Sequence, residues 1–146
     1  MPNVEKSALV PYSAAQMFAL VDDIDRYPEF LPWCGGASVD RRGDATIVAT
    51  MHIDYRGIQR SFTTENTGDK NAEIHMRLVE GPFSRLDGLW RFQTLSASAC
   101  KVSLALDYGF ANALLEAAVG PVFDVIANTM IERFIARADA LHGAQR

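Results

Sequence analysis

The chain lacks most of what marks a secreted, membrane-spanning or DNA-gripping protein. No apolar run reaches 18 residues, so no segment is expected to span a bilayer. The opening MPNVEKSALV holds no apolar core long enough for a secretory signal. Only two cysteines occur, Cys34 and Cys100, 66 positions apart, with no CxxC and no Cys/His cluster. That pattern offers no zinc site, and two reduced, buried thiols are expected. Basic charge is not in surplus: 14 Lys+Arg against 18 Asp+Glu give −4. Proteins that hold nucleic acid through its phosphates carry a basic excess, so DNA is not an expected partner. No run of five like charges forms a polybasic tail. Ten glycines and six prolines are too few for a collagen-like or low-complexity chain. The expected location is cytoplasmic, with room for peripheral contact at the inner membrane.

What is present reads as an ordinary globular protein. Of the 146 residues, 49% are apolar and 22% charged. That length fits one domain covering 1–146, burying roughly 68–70% of its unfolded surface without a staple. Val4 to Val10 can form a strand, closed by Pro11. Ser13 with Gln16 three positions later makes a capping box, opening a short helix through Met17, Phe18, Leu20 and Val21. Asp22 to Pro32 leaves space for a second short helical turn, and Gly35-Gly36 follow as breakers.

From Ala37 to Phe110 the period is two. Ile47, Ala49, Met51 and Ile53 alternate with polar neighbours. So do Ile74, Met76 and Leu78, then Trp90 and Phe92, then Val102, Leu104, Leu106, Tyr108 and Phe110. This predicts half-buried antiparallel strands. Turn residues mark the joints at Arg42-Gly43-Asp44, Arg56-Gly57, Thr67 to Asn71, and Gly81-Pro82-Phe83. Beyond Phe110, Leu115, Val119, Val122, Ile126, Met130, Phe134, Ala138 and Leu141 recur at three- and four-residue steps. They predict one amphipathic helix of roughly 30 residues, capped by Asn112 and kinked near Gly120-Pro121. The fold class is therefore α+β. A curved antiparallel sheet of about six to seven strands wraps a long C-terminal helix, with two short helices after the first strand. This helix-grip arrangement leaves space between sheet and helix, where a small apolar ligand can sit.

Residues for catalysis are scarce. His52 and His75 lie on polar strand phases, and His142 lies at the fraying helix end. GxSxG, P-loop and GxGxxG motifs are all missing. Asp22, Asp23 and Asp25 match no calcium loop. No catalytic or metal-binding residue is assigned. Tyr55 and Tyr108 fall on apolar phases and can serve chemistry, but tyrosines there are commonly core. Arg60 interrupts the apolar phase between Ile58 and Phe62. It either projects into the cavity to meet a carbonyl, a carboxylate or an inward acid, or its strand lies near a sheet edge and the side chain snorkels out. The segment from Tyr27 to Cys34, YPEFLPWC, packs three aromatics, a leucine and two prolines into eight residues. It can seal the core, cover a cavity as a lid, or dock on a membrane or protein.

That segment also carries a resemblance. Val10 to Phe18 followed by YPEFLPWC resembles the START-like coenzyme Q-binding family, also labelled ribosome association toxin RatA or oligoketide cyclase/dehydratase, within the polyketide cyclase superfamily. Matching positions continue through Gly81-Pro82-Phe83, Leu86, Gly88, Trp90, Phe92, Cys100, Val102, Leu114-Leu115, Arg133-Phe134 and Arg137-Ala138. The resemblance implies a helix-grip (START/Bet v 1-like) fold with an apolar tunnel. It implies binding of ubiquinone or another polyprenyl lipid, in support of respiratory electron transfer or quinone biosynthesis. The toxin label implies instead binding to the large ribosomal subunit and a block on subunit association. The cyclase label implies an enzyme, for which the residues offer no acid/base pair.

The expected reading is a non-catalytic binder of a hydrophobic small molecule, requiring no cofactor beyond a bound ubiquinone as ligand. The expected cavity lining is Met51, Ile53, Tyr55, Ile58, Arg60, Phe62, Ile74, Met76, Trp90 and Phe92 from the sheet, with Val119, Phe123, Ile126 and Met130 from the helix. Tyr27, Phe30, Leu31, Trp33 and Phe83 are expected at its rim or lid. A ribosome-binding role would call on Arg41, Arg42, Arg56 and Arg60 near the first hairpins.

Overall fold

The computed structural model describes residues 4–69 and 71–143. Strand β1 (Val4–Val10) leads into helix α1 (Ala14–Asp22) and a 3-10 helix (Ile24–Glu29). Six strands follow: β2 (Cys34–Arg42), β3 (Thr46–Tyr55), β4 (Ile58–Asp69), β5 (Glu73–Glu80), β6 (Phe83–Ser96) and β7 (Ala99–Phe110). Helix α2 (Ala113–His142) closes the chain. The strands form one antiparallel sheet in the order β1-β7-β6-β5-β4-β3-β2. The α+β helix-grip expectation holds, with seven strands. One of the two short helices is of the 3-10 type.

Local chemistry explains where the elements start and stop. At α1, Ser13 Oγ accepts from Gln16 N at 3.1 Å and Gln16 Oε1 accepts from Ser13 N at 2.9 Å, the reciprocal capping box. At α2, Asn112 Oδ1 accepts from Leu115 N at 2.9 Å. Helix α2 is continuous through Gly120-Pro121. The β3–β4 hairpin turns on Arg56 and Gly57, with φ of 52° and 82°. Two consecutive left-handed residues are what a tight two-residue hairpin demands.

Two turn assignments need correction. Gly35 and Gly36 lie inside β2, at a bulge in its pairing with β3. A Cβ on Gly35 would fall 2.8 Å from Asp54 Cβ, and one on Gly36 would fall 3.1 Å from His52 Cδ2. These glycines permit a close strand approach rather than a break. Thr67, Gly68 and Asp69 extend β4 to pair with β5, and Lys70 of that expected turn lies outside the described residues.

The core lies between the concave face of the sheet and α2. Ile47, Ala49, Met51 and Ile53 of β3 are buried, as are Val102, Leu104, Leu106 and Tyr108 of β7. Val119, Phe123, Ile126, Phe134 and Ala138 face them from α2. By length and apolarity alone α2 could cross a membrane, yet its apolar stripe is spent on the sheet of the same chain.

Candidate ligand site

Between sheet and α2 sits a small, largely apolar cavity of about 40 Å³. Seven of the expected lining residues stand on its wall: Met51, Phe62, Met76, Trp90, Phe123, Ile126 and Met130. Leu86, Leu106 and Phe134 join them. Two polar side chains complete the wall, Thr64 and Asn66, both buried; Thr64 Oγ1 donates to Asn66 Oδ1 at 2.9 Å. Continuing the alternation of β4 past Phe62 was the signal for these two, since every second side chain faces inward. Leu106 and Phe134 were legible in the same way, from strand and helix phase.

Several expected residues stand elsewhere. Ile53, Ile74, Phe92 and Val119 are buried in the surrounding core, off the cavity wall. Tyr55 is half-buried at the end of β3, where the Arg56 guanidinium lies 5.0 Å from its ring centroid. Ile58 and Arg60 border a surface groove with Ala118 and Val119 of α2. Arg60 is exposed, so the cavity reading of this residue is corrected. It sits third in β4, close to the Arg56-Gly57 hairpin turn, where a long side chain reaches water without desolvating its charge.

The rim assignment changes as well. Tyr27 and Trp33 are walls of the cavity itself. Leu31 and Phe83 are buried in the core, and Phe30 lies half-buried against Phe134, with ring centroids 5.1 Å apart. The segment turns its apolar side chains inward and its prolines and Glu29 outward, closing over the core. Its fastenings are polar: Tyr27 donates its hydroxyl to Val21 O at 2.5 Å, and Arg137 Nη2 meets Glu29 Oε1 at 2.7 Å.

The electrostatics of the site are plain. Among the described residues no charged side chain lines the cavity, and Tyr27 is its one titratable group. Burial pushes the Tyr27 hydroxyl well above the usual tyrosine range, so it stays protonated and bound to Val21 O. Tyr108 is off the wall; its hydroxyl donates to Asp124 Oδ1 at 2.5 Å, and burial with that bond raises its pKa. His52 Nδ1 meets Ser61 Oγ at 2.5 Å, but on the exposed face of the sheet. His75 pairs with Asp87 at 2.9 Å, also facing water. Both cysteines are buried and unbonded to each other, and burial raises both thiols.

One wall residue carries a buried polar atom with no partner among the described residues. Trp33 is 3% exposed, and that atom is its Nε1. An unmet buried donor costs about 1–3 kcal/mol. Nothing in the aromatic composition of YPEFLPWC signalled that this indole would be left so.

The arginines of the first hairpins do not gather. All four are exposed, but Arg41 and Arg42 lie at one end of β3 and Arg56 and Arg60 at the other. A ten-residue strand separates its ends by about 30 Å, far more than the Debye length in physiological salt.

Known proteins resemble this chain closely. The Ribosome association toxin RatA of Escherichia coli (strain K12) is 41% identical over 145 residues, covering 99% of this chain and 92% of that protein. The mitochondrial Coenzyme Q-binding protein coq10 of Schizosaccharomyces pombe is 26% identical, covering 93% of this chain and 86% of that one. The crystal structure of the Zhui aromatase/cyclase from a Streptomyces species superposes with a TM-score of 0.78 at 21% identity, over 93% of this chain and 92% of that one, a likeness of fold. The family model described as "Polyketide cyclase / dehydrase and lipid transport" matches residues 10–135, which takes in the capping box, the segment after α1, strands β2 to β7 and most of α2. On that span, this chain belongs to the polyketide cyclase/dehydrase and lipid transport family.

Proposed function

We propose that the chain is a non-catalytic binding protein for a hydrophobic molecule, ubiquinone or a related polyprenyl lipid, taken up between sheet and α2. In that role it supports respiratory electron transfer or quinone biosynthesis. The observation that carries the reading is the space between sheet and helix, walled mainly by aromatic and aliphatic side chains and methionines, with no charged group among the described residues. A guest there leaves water, gaining roughly 0.8 kcal/mol per buried methylene. The single titratable wall group is held neutral, which suits binding and not acid–base chemistry. The name of the coq10 relative points the same way.

The cavity must widen to accept such a guest. About 40 Å³ is close to the space of one water, whereas benzene occupies a cavity of about 150 Å³. The wall has parts that can move. Met76 is half-buried, and its Cε lies 2.5 Å from where a Cβ on Gly88 would stand. Its methyl group thus fills a notch left by a glycine. Met130 is half-buried on the facing helix. Both are unbranched thioethers that change rotamer at little cost.

Organic extraction of the protein purified from its own host, followed by mass spectrometry, tests the reading. Near-stoichiometric quinone or polyprenyl lipid is the expected result. An empty extract, from protein that also refuses added quinone, overturns it.

A second reading, association with the large ribosomal subunit, is favoured by the 41% identity over nearly the full chain to a protein named for it. Cosedimentation with isolated subunits at two salt concentrations tests it, because phosphate contacts weaken steeply with salt. The separation of the two arginine pairs by the length of β3 predicts weak, shallowly salt-dependent binding.

A further inference from the structure

We infer that the cavity selects an uncharged molecule bearing a hydrogen-bond-accepting oxygen, and that the Trp33 indole N–H is the donor that holds it. The inference rests on the binding reading above and goes further, to the head group and the residue that recognises it. The indole Nε1–H can donate but cannot accept. Trp33 is 3% exposed and on the cavity wall, and its Nε1 has no partner among the described residues. A donor buried beside an apolar space is satisfied by a carbonyl, ether or quinone oxygen that enters that space.

The rest of the wall narrows the class. The Thr64–Asn66 pair offers further polar atoms on the same wall, already bonded to each other. Among the described residues no charged side chain lies on the wall, and Arg60, although in the inward phase of β4, is exposed. A carboxylate or phosphate head would therefore enter without a counter-charge, which low-dielectric surroundings penalise heavily. Fatty acids and phospholipid heads are disfavoured; neutral carbonyl-bearing apolar molecules are accepted.

The chain has two tryptophans, Trp33 and Trp90, so the indole N–H region of a nitrogen-15 spectrum holds two resonances. Trp33→Phe assigns them, and Trp90→Phe assigns the same pair if the first variant fails to fold. The full-length protein is titrated with decylubiquinone, with dodecylbenzene, which has a ring and chain but no acceptor, and with palmitate. The expected result is a downfield shift of the Trp33 N–H with decylubiquinone alone. Decylubiquinone should bind about fivefold or more tighter than dodecylbenzene, the ratio that one neutral hydrogen bond supplies. Trp33→Phe should bring that ratio close to one.

Decylubiquinone that perturbs wall methyls while leaving the Trp33 N–H in place overturns the donor assignment and leaves the binding reading standing. Palmitate binding as tightly as decylubiquinone overturns the neutral-head claim. Binding of none of the three overturns the binding reading, and this inference with it.

Discussion

Two clusters of aromatic rings hold α2 on the sheet, and they are built differently. The first gathers on Phe134. Trp90, Tyr27 and Phe30 meet its ring at 5.2, 5.4 and 5.1 Å, and Phe92 and Phe18 extend the chain of contacts. The second gathers on Phe123. Tyr108, Phe83, Phe62 and Phe110 meet it at 4.7, 4.9, 6.2 and 6.5 Å. The first binds the helix to the sheet and also to the segment that follows α1. The second binds it to strands β4, β6 and β7. Between them lies a band of Met51, Met76, Met130, Leu86 and Ile126, and the cavity is in that band. Stiff rings from both clusters fix the helix and wall the cavity at its two sides, while the methionines between them are the side chains able to make room.

The largest effect comes from removing a hub. Phe134 and Phe123 are 1% and 3% exposed, and each truncation to alanine enlarges a cavity that cannot collapse against rigid neighbours. Each should cost about 3–5 kcal/mol in denaturant unfolding. The two should differ in where they loosen the molecule. Phe134→Ala frees Tyr27 and Phe30, so amides of residues 24–33 should exchange faster than those of β4. Phe123→Ala should do the reverse. Identical exchange patterns would remove the distinction between the clusters.

The band between them is tested by Gly88→Ala. The new Cβ would lie 2.5 Å from Met76 Cε and 2.8 Å from Leu106 Cδ2, both far ends of flexible side chains. The sheet should survive, at an overpacking cost of about 1–3 kcal/mol. Met76 must leave its notch, so its methyl resonance should shift while the rings of both clusters keep theirs. Shifts spread through Phe123 and Phe134 would show that band and clusters are not separate. A smaller change, Tyr108→Phe, removes the hydroxyl that donates to Asp124 at 2.5 Å and keeps the ring on Phe123. About 1 kcal/mol should be lost in denaturant unfolding, with exchange near 24–33 unchanged.

How much of this the sequence carries depends on whether an effect is local. The capping box at Ser13 and Gln16, the strand phases and the length of α2 follow from spacing alone, because helix and strand periods are properties of the backbone. The inward turn of Tyr27 was only half legible. Ile24 and Tyr27 stand three apart, which in a 3-10 helix aligns them on one face. Read as part of the loop from Tyr27 to Cys34, Tyr27 falls at a rim. Arg60 obeys its phase only in name: its position along the strand, close to the β3–β4 turn, decides that it meets water. The four hairpin arginines looked adjacent because strand length was left out of the count. Trp33 was legible as a large apolar residue, but the missing partner of its Nε1 is set by every neighbour at once. The small volume of the cavity likewise depends on methionine rotamers that no spacing rule fixes.

The smallest expected effect bears on the fastening of the first cluster. Glu29 accepts from Arg137 at 2.7 Å and from Arg26 at 3.1 Å, and Arg137 lies 5.0 Å from the Phe30 ring centroid. The bond from Arg137, then that from Arg26, holds the Glu29 carboxyl below the usual glutamate range. An acid whose folded pKa is depressed adds stability above its unfolded value of about 4.3 and loses it as pH falls through the folded value. Asp22 runs oppositely. Burial raises its pKa, against the pull of Arg42, so its contribution declines as pH rises through that window. The raw acid profile mixes the two, and the difference between wild type and Glu29→Gln isolates one. The variant should melt slightly lower at pH 7, and the gap should close as pH drops from about 5 to 3. Its size is bounded by exposure, since a pair open to water is screened. A gap that stays constant across that range would mean that Glu29 holds the segment by packing and not by charge. The Tyr27–Val21 hydrogen bond would then be the polar tie left to the clamp on Phe134, whose other contacts are apolar.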